Sequence, residues 1–175
     1  AGVDALAQRV DEAFAQLDGL NAMLPGLTDD VRALSERVGE VEAAVPLIAI
    51  IREEMPDRRI VVSTVTETGQ ARAARLFPDL ERRYLPYDFR FAVRRHLDDV
   101  PRLERFIIME TEIWPNLILE LRQRGVPVAI VNGRISDRAW PRYRRIASFL
   151  RPILAEVGAV AARTELDAER FRLLG

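Results

Sequence analysis

Between Arg105 and Leu121 the chain reads RFIIMETEIWPNLILEL, and no other stretch constrains the fold as tightly. Phe106 to Met109 is an unbroken apolar run without the alternation of a half-solvated strand, so it reads as a strand buried on both faces of a parallel sheet. It runs into Glu110 and Glu112, and Pro115 then opens a helical pattern at its first turn. Carboxylates beside a core are costly unless they are paired, solvated or used. In open α/β sheets, ligands sit outside the carboxyl ends of the strands. The segment therefore predicts a sheet and a site at its edge.

The residues around it repeat the theme. Strands are expected at Ile60 to Val65, Tyr84 to Pro86, Val128 to Asn132 and Val157 to Ala162. Helical stretches open at Thr68-Gly69, Phe89, Pro115, Pro141 and Thr164, with Thr164 and Asp167 spaced as a capping box. Short strands alternating with short helices indicate α/β architecture, a Rossmann-like parallel sheet with right-handed crossovers over residues 58–175.

Residues 1–57 read differently. Val3, Leu6, Val10, Phe14, Leu17 and Leu20 form one helical stripe, and Leu24-Pro25-Gly26 breaks it. A second stripe, Val31, Leu34, Val38, Val41, Val45 and Ile48, predicts a helix from Asp29 to Glu54, weakened at Gly39 and kinked or broken at Pro46. Together they predict a helical hairpin that continues into the first helix of the α/β domain. Its stripe is free to pack on itself, on the sheet or on a second copy, so self-association is one expectation.

Composition removes several chemistries. The 175 residues include no cysteine, one histidine (His96) and no lysine, which excludes thiolate metal sites, a cysteine nucleophile, a histidine cluster, a P-loop lysine and a Schiff base. Net charge is −1 overall, yet residues 1–57 hold 12 acids against 4 arginines and residues 58–175 hold 15 against 22. The basic second part suits an anionic partner. The longest apolar run, Ala43 to Ile51, falls far short of the roughly 20 residues a membrane span needs, so the chain reads as soluble, with no anchor or signal segment. Nucleic acid is not expected, because aromatic groups are not interleaved with the arginines of residues 134–151 as a stacking platform.

No G-x-G-x-x-G, G-x-S-x-G or H-E-x-x-H occurs. Instead each strand end carries polar groups: Thr64, Thr66, Thr68 and Gly69 after the first, Asp88 after the second, Glu110 and Glu112 after the third, and Asn132, Gly133 and Arg134 after the fourth. Converging on one crevice, they would offer hydroxyls, carboxylates and a guanidinium to a polyhydroxylated ligand. The threonines before Gly69 at a helix start also suit an anion. Each has an ordinary structural reading as well: the threonines and Asp88 as helix caps, and Arg134 as the partner of a surface acid.

VGEVEAAVPL (38–47), STVTETG (63–69), YLPYD (84–88), IMETEIWPN (108–116), NGRIS (132–136) and ELDAERFRLLG (165–175) follow one another in an order that resembles the acceptor-binding half of 3-deoxy-D-manno-octulosonic acid (Kdo) transferases. The resemblance covers about residues 38–175, and the METEIWPN block is its most specific part. It implies one half of a GT-B glycosyltransferase, an enzyme that moves Kdo from CMP-Kdo to a lipid A precursor with inversion, without a metal or other cofactor, at the cytoplasmic face of the bacterial inner membrane in lipopolysaccharide biosynthesis. The family's general base corresponds to Glu40, a carboxylate that would deprotonate the acceptor hydroxyl. Glu110 would orient the acceptor or stabilise charge in the transition state. Glu112 would share its side if the strand continues. Arg134 and Arg138, and with them Arg145, would meet the acceptor's phosphates, a task suited to a planar guanidinium.

The chain departs from the family pattern at Arg37 (serine in the family), at Glu67 (proline) and in Asn132-Gly133-Arg134-Ile135 (Asn-Ala-Arg-Leu). It also lacks the strand ending in His-Ala-Val-Ser that precedes the family's Gly-Glu. The donor half is not in this sequence, so by itself the chain is expected to bind acceptor without transferring Kdo. The alternative from the residues is a non-catalytic Rossmann-like domain whose hairpin serves oligomerisation or partner docking.

Overall fold

A computed structural model describes residues 40–110 and 113–175. The expected hairpin lies outside the described residues up to residue 39, as do Thr111 and Glu112. Helix α1 (Glu40–Ala43) and helix α2 (Val45–Glu54) are separated by a turn at Ala44, with Pro46 in the first turn of α2. The break expected at Pro46 is present, and the proline sits where its missing N–H costs nothing.

Strand β1 (Val61–Thr64) leads to α3 (Glu67–Leu76), β2 (Glu81–Tyr84) and α4 (Arg90–Asp98). Strand β3 (Phe106–Met109) follows, then α5 (Pro115–Gln123), β4 (Val128–Gly133), α6 (Trp140–Arg145), α7 (Ala147–Leu154), β5 (Ala159–Ala162) and α8 (Glu165–Leu174). Every strand pair is parallel, as the alternation requires. The ladder, however, comes in two pieces, β1–β2 and β3–β4–β5. The starts of β1 and β3 are tied instead by an ion pair between Arg58 and Glu104 at 2.7 Å.

The second strand corrects the sequence reading. It runs over Glu81–Tyr84 and not over Tyr84 to Pro86, because its charges find partners close by. Arg82 donates to the carbonyls of Phe77 and Leu80, each at 3.0 Å, and Arg83 pairs with Glu81 at 2.6 Å.

Two apolar clusters follow the division of the sheet. The larger packs Val93 and Leu97 of α4 against Leu117, Ile118 and Leu121 of α5, together with Ile108, Val128 and Ile130 of the strands and Leu150, Ile153, Phe171 and Leu174 of α7 and α8. The smaller gathers Ile48, Ala73 and Phe77 over Ile60, Val62 and Leu80. Helices α4 and α5 thus carry the apolar packing that reaches from the region of β2 to the region of β3.

His96, on α4, is half-buried. Burial lowers its pKa below 6.5, Arg83 adds to the lowering, and Asp99 opposes it. A histidine with a depressed folded pKa contributes stability above its unfolded pKa and loses it as pH falls toward the folded one. Stability should therefore decline as pH drops below about 6.5. His96→Gln should flatten that part of the profile, measured as urea midpoints against pH. An unchanged slope would assign the decline to other groups.

Candidate site at the strand ends

The site is built from the carboxyl ends of the strands. After β1, Thr66 has extended backbone and caps α3: its Oγ1 accepts from the Gly69 N–H at 3.0 Å. The capping residue is thus Thr66, two positions before the helix start expected at Thr68. A side chain at Gly69 would place its Cβ 3.0 Å from Thr64 Cβ and 3.1 Å from Thr66 Oγ1, so glycine lets the first turn of α3 close against the end of β1. Thr66 and Thr68 are exposed there.

At the ends of β3 and β4 two non-glycine residues stand side by side in the left-handed region. Glu110 has φ 62° and Asn132 φ 57°. Met109 pairs with Val131, so Glu110 and Asn132 are the next residues along the two strands, and the Glu110 N–H donates to Val131 O at 2.9 Å. On the other side of β4, Asn132 is the residue at which the ladder with β5 shifts register. Such strain at strand ends is typical of binding sites, where the surroundings over-determine the backbone. It also corrects one expectation. Strand β3 does not continue through Glu110, so alternation along an extended strand does not put Glu112 on the side of Glu110.

Beyond Asn132, Gly133 is buried against the ring of Phe171: a Cβ there would lie 2.9 Å from Phe171 Cε2. Arg134 turns outward and is exposed, as is Arg138. The loop between them is held from below by α8. The buried Asp167 carboxylate accepts from the Ile135 N–H at 2.8 Å and from the Thr164 hydroxyl at 2.6 Å. Thr164 Oγ1 accepts in turn from the Asp167 N–H at 3.1 Å. Arg170 donates to Ile135 O and to Asp137, and its guanidinium lies 5.7 Å from the centre of the Trp140 ring. The ELDAER segment thus positions the Arg134 loop, a role that its spacing alone does not disclose.

Asp88 does not cap the helix that follows it. Its two carboxylate oxygens accept from the N–H groups of Asn116 and Leu117, each at 2.9 Å, while Asn116 Nδ2 donates to the Asp88 carbonyl at 2.6 Å. It thereby caps α5 from the β2–α4 loop and ties the end of β2 to the helix that leaves β3.

One strand-end residue was missed. Arg163 directly follows β5, its N–H donates to Gly133 O at 2.8 Å, and its Nε is buried without a hydrogen-bond partner among the described residues. An unpaired buried donor beside Gly133 is suited to an anion. The signal was the one that singles out Glu110, a charge immediately after an apolar run.

Glu40 lies at the start of α1, which packs near α3 through an ion pair between Glu42 and Arg72 at 3.1 Å. Glu110, Asn132 and Arg134 lie at the adjoining carboxyl ends of β3 and β4, and Thr66, Gly69 and Asp88 follow β1 and β2 of the other ladder. Glu112 lies outside the described residues. Among the described residues, no group of three histidine, cysteine, aspartate or glutamate side chains is placed to hold a metal ion.

Residues 31–175 match the family model described as 3-deoxy-D-manno-octulosonic-acid transferase (kdotransferase). A 3-deoxy-D-manno-octulosonic acid transferase of Haemophilus influenzae is 38% identical over 140 residues, covering 79% of this chain and 32% of the relative. One from Bordetella pertussis is 36% identical over 142 residues, with coverage of 77% and 32%. A bifunctional glycosyltransferase/methyltransferase of Fusobacterium nucleatum is 32% identical over 141 residues, 79% of this chain and 22% of that protein. The chain thus spans about a third or less of the length of these relatives. No solved structure gives a significant match.

Proposed function

We propose a function from one premise: the chain belongs to the 3-deoxy-D-manno-octulosonic-acid transferase family, matching its model over residues 31–175. It is the acceptor-binding half of such a glycosyltransferase, and its ligand is a phosphorylated sugar lipid, the lipid A precursor. CMP-Kdo is assigned to the part of a full-length relative that this chain does not span, so transfer needs that second half. The work is placed at the cytoplasmic face of the inner membrane. Among the described residues, no helix is long and apolar enough to cross a membrane.

The observation that carries the reading is the pair of strained residues, Glu110 and Asn132, at the ends of adjoining strands. A carboxylate and an amide fixed there can accept from and donate to sugar hydroxyls without reorganising on binding. Glu110 is assigned to orienting the acceptor and opposing charge as the glycosidic bond forms. Glu40 is assigned the general-base role, removing the proton of the attacking hydroxyl. Arg134 and Arg138 meet phosphate from the outer side of the loop, with Glu112 and Asn132 on the sugar. Thr66, Thr68 and Gly69 offer hydroxyl and amide groups at the start of α3. Asp88 contributes by aiming α5.

A calorimetric titration with the lipid A precursor tests the assignment on wild type, Glu110→Ala and Arg134→Ala. Each variant should bind about tenfold more weakly or worse, the loss expected for one charge-assisted hydrogen bond of at least ~1.4 kcal/mol. Equal affinities in all three would remove the site.

A further inference from the structure

Arg163 carries a guanidinium that the fold leaves unmatched. It directly follows β5, and its backbone N–H extends the ladder by donating to Gly133 O at 2.8 Å. Its Nε is buried without a hydrogen-bond partner, and no carboxylate pairs with it among the described residues. The nearest acids in the chain are committed elsewhere. Glu165 pairs with Arg172 at 2.7 Å, and the Asp167 carboxylate accepts from the Ile135 N–H and the Thr164 hydroxyl. Arg170, buried in the same region, shows the contrast: it donates to Ile135 O and to Asp137 and faces the Trp140 ring. A buried guanidinium N–H without an acceptor costs free energy in the free protein, more than a neutral donor would.

Its position in the sheet gives the unmatched group a use. Gly133 pairs with Ala162, so Arg134 and Arg163 are the next residues along β4 and β5. Glu110 and Asn132 hold the matching places on β3 and β4. The carboxyl edge of this three-stranded ladder therefore runs from a carboxylate on β3, through an amide and a guanidinium on β4, to a second guanidinium on β5. Arg134 has no ion pair among the described residues either. The first turn of α8 follows Arg163 directly, and its dipole adds to the positive field there.

Resting on the acceptor-binding reading above, we propose that Arg163 binds a phosphate of the acceptor and makes the site selective for the phosphorylated form. Nε and one Nη of a guanidinium lie in one plane and donate as a fork to two phosphate oxygens, a geometry that glutamine cannot reproduce. The phosphate would supply the acceptor that Nε lacks in the free protein.

The test titrates the full chain, as wild type and as Arg163→Gln, with the lipid A precursor and with the same molecule stripped of its phosphates. Wild type should prefer the phosphorylated form. Arg163→Gln should bind that form at least about tenfold more weakly and bind the stripped form as wild type does. Because the replaced group has no partner in the free protein, the urea midpoint of Arg163→Gln should equal or exceed that of wild type. In proton–nitrogen correlation spectra, the Nε–H signal that Arg163→Gln lacks should shift saturably when inorganic phosphate is added to wild type. Equal weakening toward both acceptors, a lower urea midpoint, or a signal unmoved by phosphate would overturn the proposal. If Glu110→Ala and Arg134→Ala lose affinity while Arg163→Gln does not, the proposal falls and the strand-end site stands without Arg163. If the signal shifts with phosphate but wild type binds neither acceptor, Arg163 holds an anion and the acceptor assignment is what fails.

Discussion

Replacing Asp167 by alanine should lower the unfolding free energy by about 3 kcal/mol, from a buried amide left unpaired together with the acceptor lost to the hydroxyl of the capping Thr164. Asp167 is 5% exposed, and its carboxylate receives hydrogen bonds from the Ile135 N–H and the Thr164 hydroxyl. Ile135 is fully buried, so its amide has no ready route to water. The loss should appear as a lower urea midpoint with an unchanged slope. Acceptor affinity should fall too, because the Arg134 loop loses its lower tie. Asp167→Asn retains an acceptor for Ile135 and should lose less. A midpoint for Asp167→Ala within error of wild type would show that Ile135 finds another partner and that α8 does not position the loop.

Asp88→Ala should cost about 2 kcal/mol, for a charged cap that satisfies two otherwise free N–H groups at the start of α5. Trp114, at the capping position, makes no side-chain cap bond of its own. The bonds come from a residue 28 positions earlier, so their loss also frees the β2–α4 loop from the helix that follows β3. Hydrogen exchange at Asn116 and Leu117 should rise more than at Ile118, whose N–H is held by Trp114 O at 2.9 Å. If exchange rises equally along α5, the whole helix has loosened and Asp88 is more than a cap.

Much of this was legible in the residues. Phe106 to Met109 matches β3 as observed, and Pro115 opens α5, because an unbroken apolar run and a proline at a first turn are both local signals. Thr164 and Asp167 were recognisable as a cap for the same reason. What escaped is non-local. Strand β2 is rich in charge, and only the folded chain shows that Arg82 and Arg83 find partners a few residues away. Asp88 has the pattern of a cap, but nothing in its neighbourhood names α5 as the helix it serves. Periodicity is also blind to a left-handed residue, so only the folded chain shows that the strand stops at Met109 and that the condition set for Glu112 is not met. The polar residues proposed for the site stand at or just beyond apolar runs, a criterion that Arg163 also meets.

The paired left-handed backbones at the rim restrict what diversification can do there. At Glu110 and Asn132 a β-branched replacement would meet a penalty of roughly 1–2 kcal/mol before any ligand arrived, whereas glycine, asparagine and aspartate would be admitted more readily. Libraries aimed at new sugar preferences would therefore sample a short alphabet at these two positions. Variety is cheaper at Arg134 and Arg138, where the exposed side chains leave the backbone geometry alone.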